Sequence, residues 1–430
     1  MASPLWVALR TKGIHPATRR LCRPISAAFA TAVVSAAMLP MSSASATLPG
    51  LIGKLACQSQ RTGDTEIFTF NSDGSAPTQL TTSPGADQGP AWSPDGRRVA
   101  FHSARSGNFD IWVMNADGSG AANITNHPAA DLFPSWSPDG AQLTFTSNRD
   151  GNTEVYVMNA DGTEVMRLTN NLGQDALPDW SPDGDKIVFN SNVNAVPDHP
   201  QDTDLYTVSP LGGPLTNITN APGIDAGASW SPDATKLVFH SNRNGNFDIF
   251  VMNADGSGVT NLTQNPASDT FANWSPDGTK ILFSSNRTGD ANEVFLMNAD
   301  GSGLTQLTFA SGFDGICDWQ PLCTIYGSGV IVGTPGNDII CGSEGSDSID
   351  GGAGNDRVIA LGGDDRVAGG PGNDKLFGGA GNDQVSGDDG DDLVSGGPGF
   401  DSLSGGGGTN RLDGGPGTDR CAGGVPLNCP

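Results

Sequence analysis

Basic side chains are scarce in this chain. Its 430 residues hold 22 lysines and arginines against 47 aspartates and glutamates, a formal net charge of −25. Five of the basic residues and none of the acids fall in residues 1–46, so the remainder carries 17 − 47 = −30. Phosphate backbones attract basic surfaces, so no nucleic-acid partner is expected and cations are favoured. Charged residues make up only 16%, whereas glycine numbers 60 and proline 29. No long helical pattern is present, and this composition suits turn-rich β structure. Beyond residue 46 no apolar run is long enough to span a bilayer. Neither G-x-S-x-G nor H-E-x-x-H occurs, which removes two common hydrolase motifs. Four histidines lie beyond residue 46, scattered, and no two cysteines have C-x-x-C spacing.

What is present is repetition. Tryptophans at 92, 136, 180, 230, 274 and 319 are spaced by 44, 44, 50, 44 and 45 residues. The clearest copy runs from Trp92 to Thr125. A period of this size without helices indicates a propeller. Each copy contains four strand candidates. The first ends at Trp, and S-P-D-G turns the chain because Pro presets φ and Gly takes φ > 0. The second alternates apolar residues, as in V-A-F-H-S. The third is D-I-W-V-M-N, followed by the hairpin signal Asp-Gly. The fourth is short and ends in L-T or I-T. Third-strand units start at Glu66, Asp110, Glu154, Asp204, Asp248 and Glu293, six in all, but complete Trp-to-Thr units number five. Lys54–Asp64 supplies a second strand without its Trp hairpin, and Asp318–Pro321 a first strand with nothing after it. Together they complete a sixth blade and close the ring, leaving no open sheet edge.

The W-S-P-D-G and V-M-N-A-D-G-S motifs over about residues 50–322 resemble the TolB-like propeller repeat. The resemblance implies a six-bladed β-propeller and little about activity, since propellers host many functions.

Residues 1–46 have the form of a secretion signal. Arg10, Lys12, Arg19, Arg20 and Arg23 precede an apolar stretch, Ile25–Leu39, and Ala44-Ser45-Ala46 fits a cleavage site. Thr18-Arg19-Arg20-Leu21 faintly resembles a twin-arginine signal, with an ordinary signal as the alternative. Cys22 is badly placed for a lipid anchor. Within the propeller, Arg61/Glu66, Arg105/Asp110, Arg149/Glu154, Arg243/Asp248 and Arg287/Glu293 are expected to pair and brace each loop. One repeat has Val193 instead of arginine and six extra residues, with Asp198 and His199 in the lengthened loop. That is where a functional loop could sit on the scaffold. His102 and His240 share a strand position, and so a structural environment. The repeat tryptophans are expected in the core rather than as sugar-stacking platforms.

A second repeat begins after Tyr326. From 333 to 422 the chain counts in nines, ten times, as in G-G-A-G-N-D-R-V-I (351–359), G-G-P-G-N-D-K-L-F (369–377) and G-G-A-G-N-D-Q-V-S (378–386). The pattern G-G-x-G-x-D-x-U-x resembles the calcium-binding repeat of RTX proteins. Six residues would turn and three would form a strand, with U pointing inward: Ile340, Ile349, Val358, Val367, Leu376, Val385, Val394, Leu403, Leu412 and Cys421. Two nonamers would make one coil of a parallel β-roll. The resemblance implies that calcium, a hard cation preferring six to eight oxygens, is held by the sixth-position aspartates: Asp338, Asp347, Asp356, Asp365, Asp374, Asp383, Asp392, Asp401 and Asp419. Asn410 stands in the remaining copy as a weaker ligand. The 360–368 copy starts Ala-Leu, which is expected to distort its turn. Residues 333–422 hold 16 acids and 5 basic residues, net −11, so the roll should need the ion to fold.

Six cysteines lie beyond the signal, an even count that suggests disulfides in a secreted chain. Their positions suggest 421–429 and 323–341, leaving Cys57 and Cys317 on the two strands that close the ring.

The expectation is thus an all-β chain: signal 1–46, six-bladed propeller 47–326, and calcium-binding β-roll with a disulfide-closed tail 327–430. It should be exported to the cell envelope or outside. It should be a non-catalytic binding or scaffold protein, ordered by calcium, holding a protein or envelope polymer on one propeller face. An extracellular hydrolase and a cell-surface adhesion or structural protein are the alternatives.

Overall fold

The computed structural model describes residues 51–195, 202–289 and 291–429, so the expected signal segment, Asp198 and His199 lie outside the described residues. Five consecutive four-stranded antiparallel blades follow one another over 87–306. A sixth is assembled from Asp314–Leu322, Leu51–Ser59, Glu66–Phe70 and Thr78–Gln79. The ring therefore closes as expected, with Leu55 opposite Trp319 and Cys57 opposite Cys317. Blades are numbered here from the one beginning at Asp87, and the closing blade is the sixth. The repeat tryptophans are all at 3% exposure or less and fill the space between blades. As core residues they offer no exposed ring to a sugar.

The innermost strand of each blade carries a local irregularity that the repeat did not announce. Its third residue has positive φ: Gly89, Phe133, Leu177, Gly227, Phe271 and Ile316. Bulky residues resist this region, at a cost of about 1–2 kcal/mol each. In five of the six blades a side chain from the preceding blade holds the bulge by accepting its amide. Gln58 Oε1 takes Gly89 N at 3.2 Å, His102 Nδ1 takes Phe133 N at 3.4 Å, and Thr146 Oγ1 takes Leu177 N at 3.2 Å. His240 Nδ1 takes Phe271 N at 3.4 Å and Ser284 Oγ takes Ile316 N at 3.1 Å. The two histidines are therefore latches between blades. Each is boxed edge-on by two phenylalanines, Phe109 and Phe133 or Phe247 and Phe271.

Burial pushes both imidazoles down to about 3. The unfolded chain takes up these protons near pH 6.5, and the folded chain only near 3. Their contribution is therefore complete above pH 6.5 and is lost as pH falls towards 3. Gln58 does the same work without titrating. A His102→Gln/His240→Gln variant should thus lose less stability than the parent between pH 7.5 and 4.5, by on the order of 2 kcal/mol per histidine. Equal losses in thermal unfolding at the two pH values would contradict this.

After Leu322 the chain enters a parallel solenoid of about six coils. Seven strands, Ile325–Tyr326 to Val425–Leu427, form one sheet, and six, Val330–Val332 to Arg420–Ala422, form the other. Successive strands of a sheet pair at an offset of two nonamers, as in Val358 with Leu376. The inward column from Ile340 to Leu412 makes one continuous core, with Cys421 packed against it. Ile325–Tyr326 pairs with Ile339–Ser343 and so opens the roll. The Ala-Leu copy is not distorted. Leu361 adopts φ 82°, close to the 98° of Gly352, Gly370, Gly379 and Gly397 at the same position. Burial of its side chain offsets the backbone cost.

The reason lies on the outer face of the seven-stranded sheet. Leu361 clusters there with Cys323, Cys341, Ile359 and Phe377, against the S-P-D-G hairpins of the propeller. Arg357 lies over Phe377 and donates from Nη2 to the Pro138 carbonyl at 3.2 Å, and burial lowers its pKa to about 9. Arg411 pairs with Asp185, and the Tyr326 hydroxyl donates to the Asp95 carbonyl. The roll thus covers hairpins of blades one to three. Disulfides join Cys57 to Cys317, Cys323 to Cys341 and Cys421 to Cys429, the pairing their positions suggested. Among the described residues no helix is long and apolar enough to cross a membrane.

Candidate metal centre

Each nonamer turns through six glycine-rich residues and delivers its sixth side chain inward, just before the strand. Because a coil takes two nonamers, these side chains form two lines. Asp338, Asp356, Asp374, Asp392 and Asn410 run along one side; Asp347, Asp365, Asp383, Asp401 and Asp419 run along the other. All ten are buried. One carboxylate oxygen is used by the fold: the amides of Asp356, Asp365, Asp374 and Asp383 donate to Oδ1 of the aspartate one coil on, at 2.8–2.9 Å.

The other oxygen separates the sites. Asp338 Oδ2 accepts from the amide and hydroxyl of Thr334, and Asp347 Oδ2 accepts from those of Ser343. In Asp356, Asp365, Asp374, Asp383, Asp392, Asp401 and Asp419, Oδ2 is buried and has no hydrogen-bond partner among the described residues. Such orphaned anionic oxygens are costly in an apolar setting. The first-position glycines leave the space they occupy. A Cβ on Gly369 would lie 2.4 Å from Asp374 Oδ2, and on Gly378, Gly387 and Gly396 within 2.5, 2.3 and 2.3 Å of Asp383, Asp392 and Asp401. Turns of successive coils also stack backbone on backbone. A Cβ on Gly372 would meet the Gly354 carbonyl oxygen at 1.7 Å.

Burial pushes Asp365 and Asp401 up to about 7 and Asp374 and Asp383 up to about 6. Carboxylates one coil away add to the shift at Asp365, Asp374 and Asp401. Among the described residues, no three His, Cys, Asp or Glu side chains gather about one point. The carboxylates run in lines instead, beside peptide carbonyls. Carboxylate and carbonyl oxygens are the donors a hard divalent cation prefers, so the residues present fit calcium. Asn410 differs: its Oδ1 takes the Asp392 amide, and its Nδ2 donates to the carbonyls of Gly407 and Gly423, so this turn is satisfied by itself.

A second ladder escaped the sequence reading. Fifth-position side chains also bridge coils: Asn337, Asn355 and Asn373 each accept, at 2.8 Å, the amide of the residue one coil on. The repeated Asn-Asp pair was the available signal.

In the propeller the expected arginine pairs are corrected. Arg61, Arg105, Arg149, Arg243 and Arg287 bind not the third-strand acids but the first residue of the innermost strand. The partners are Asp314, Asp87, Asp131, Asp225 and Asp269, at 2.5–2.9 Å. The end of the second strand lies antiparallel beside the start of the first, as in Asp87 opposite Ser103, so this acid is nearer in space though further along the chain. The third-strand acids Glu66, Glu154 and Glu293 instead accept from threonines, Thr81, Thr169 and Thr308. Asp110 accepts from Ser106 and Asn123, and Asp248 from Asn261.

Comparison with known proteins follows the same division. The family model of the TolB β-propeller domain matches residues 32–132 and 212–337, and that of the Tricorn protease N-terminal β-propeller domain matches 110–218. The RTX calcium-binding nonapeptide repeat matches four times, at 325–358, 332–367, 359–394 and 386–421. No curated protein gives a significant match. TolB from Acinetobacter baumannii is similar at 24% identity and TM-score 0.54, over 63% of this chain and 67% of that one. Hydrazine synthase from Kuenenia stuttgartiensis is similar at 16% identity and TM-score 0.55, over 64% of this chain and 47% of that one. At such identities these structures show the fold alone. Nonapeptide repeats of the RTX type typically bind calcium in a β-roll. The chain belongs to the TolB β-propeller family, with RTX calcium-binding nonapeptide repeats following the propeller.

Proposed function

We propose that the protein is an exported calcium-binding protein whose propeller is a non-catalytic binding module for a protein or envelope polymer. The observation that carries the calcium reading is the row of seven buried aspartates whose Oδ2 lacks a partner. Asp356, Asp365, Asp374, Asp383, Asp392, Asp401 and Asp419 would hold the ions. Asp338 and Asp347 would contribute less, because hydroxyl donors already use their Oδ2. Bound calcium supplies positive charge between stacked carboxylates. Three disulfides support an extracytoplasmic setting. The non-catalytic reading is supported by the two histidines of the second strands, whose Nδ1 atoms are engaged in blade latches. The roll covers hairpins on one face of the propeller, which leaves the opposite face for the partner.

Equilibrium dialysis of the full chain tests the calcium reading. Several ions per chain should bind with Kd of roughly 10⁻⁴–10⁻³ M, the range of extracellular modules; no uptake at millimolar calcium overturns it. Affinity capture from the native envelope, with and without calcium, tests the binding-module reading.

A further inference from the structure

The two sheets of the roll have different outer faces. Of the roll's five basic residues, Arg357, Lys375 and Arg411 stand in one outward column of the seven-stranded sheet. Ile359 and Phe377 stand in the column beside it and are buried. The six-stranded sheet presents Ser348, Arg366, Gln384, Ser402 and Arg420 in its matching column, all exposed. One outer face is built to be covered and the other to meet water.

The cover is the hairpin edge of the propeller, charge against charge. Arg411 pairs with Asp185, and Arg357 reaches the Pro138 carbonyl with the Asp139 carboxylate nearby. Lys375 lies near Asp183 and Asp233. A Cβ on Gly140 would lie 3.9 Å from Leu361 Cδ2. The effect is visible on one residue repeated around the ring, the hairpin aspartate. Asp95 is buried, and Asp139 and Asp183 are half-buried. Asp233 and Asp277, at the same place in blades four and five, are exposed.

The covering surface exists only in the folded roll. Its side chains come from short strands two nonamers apart, brought side by side by coil stacking alone. Seven buried carboxylate oxygens oppose that stacking when calcium is withdrawn. We propose that the roll is a calcium-dependent lid, which covers the hairpins of blades one to three when the ion is bound and exposes them when it is removed. This rests on the calcium reading above and adds regulation to it: calcium decides whether one face of the propeller or both are open to a partner.

Carboxylate labelling of the full chain with carbodiimide and glycine ethyl ester tests the lid. Mass spectrometry compares samples in millimolar calcium with samples dialysed free of it, and circular dichroism of the same samples follows the roll. Asp139 and Asp183 should react roughly fivefold faster or more without calcium, while Asp277 should change by less than about twofold. An Arg357→Ala/Arg411→Ala variant keeps the aspartate lines and the inward column but loses most of the basic stripe. In calcium its Asp183, which pairs with neither arginine, should react roughly threefold faster than in the parent, with calcium uptake unchanged. Where the variant's roll fails to fold, the parent comparison decides. Unchanged labelling of Asp139 and Asp183 while the dichroism shows the roll melting overturns the lid and leaves the calcium reading standing. Equal acceleration at Asp277 also overturns it, because the whole propeller is then loosening. Absence of calcium uptake overturns the calcium reading, and the lid with it.

Discussion

Chelating calcium is expected to unravel the chain beyond Tyr326 and to leave the propeller folded. The roll has one apolar core residue per nonamer, and it stacks aspartate over aspartate along both edges. Without the ion, seven carboxylate oxygens remain buried and unpartnered, a cost that the narrow core must offset. The propeller instead buries a core of Trp, Phe, Val and Ile in every blade, worth roughly 25 cal/mol per Å² of apolar surface. Limited proteolysis in chelator should therefore cut beyond Tyr326 and leave a resistant propeller fragment. Asp374→Ala and Asp383→Ala, one from each line, should together raise the calcium concentration needed for β structure by roughly tenfold or more. Acid acts in the opposite sense to chelation. Carboxylates raised to about 6 or 7 take protons in the folded roll well before they do in the unfolded chain. The calcium-free roll should thus gain stability as pH falls from 7 towards 4. Identical circular dichroism and cleavage patterns in millimolar calcium and in chelator would remove the calcium assignment.

Breaking the Cys57–Cys317 bond should cost the propeller more than any single core substitution. The two cysteines are 260 residues apart, and loop closure over that length limits the unfolded chain by about 5 kcal/mol at 25 °C. Both are buried and opposite one another on the strands that join the ends of the ring, so Cys57→Ala/Cys317→Ala leaves the pairing of Leu55–Ser59 with Asp314–Trp319 to close it alone. The denaturant midpoint should fall by an amount equivalent to several kcal/mol, with the blades still formed. An unchanged midpoint would show that strand pairing by itself holds the ring.

Much of this was legible along the chain because both halves repeat. A 44-residue period can only be satisfied by identical units that bury one another, and a nonamer held in phase for ninety residues can only stack. Strand starts, the closing of the ring, the inward column of the roll and its lines of aspartate all follow from register, which the sequence displays directly; the cysteine positions only suggested the disulfide pairing, which six cysteines leave open among fifteen. Contacts that depend on which strands lie side by side were not legible. The arginines sit five or six residues from the third-strand acids, but the antiparallel pairing of first and second strands brings each instead to an aspartate of the innermost strand. His102 and His240 reveal their work only when the next blade brings up the amide of a strained residue. Leu361 takes a glycine's conformation because the propeller surface buries its side chain. Local pattern determined the elements and the positions of the carboxylates. Packing between elements decided the partners of each charge and the face covered by the roll, because those depend on distances through space that no interval along the chain encodes.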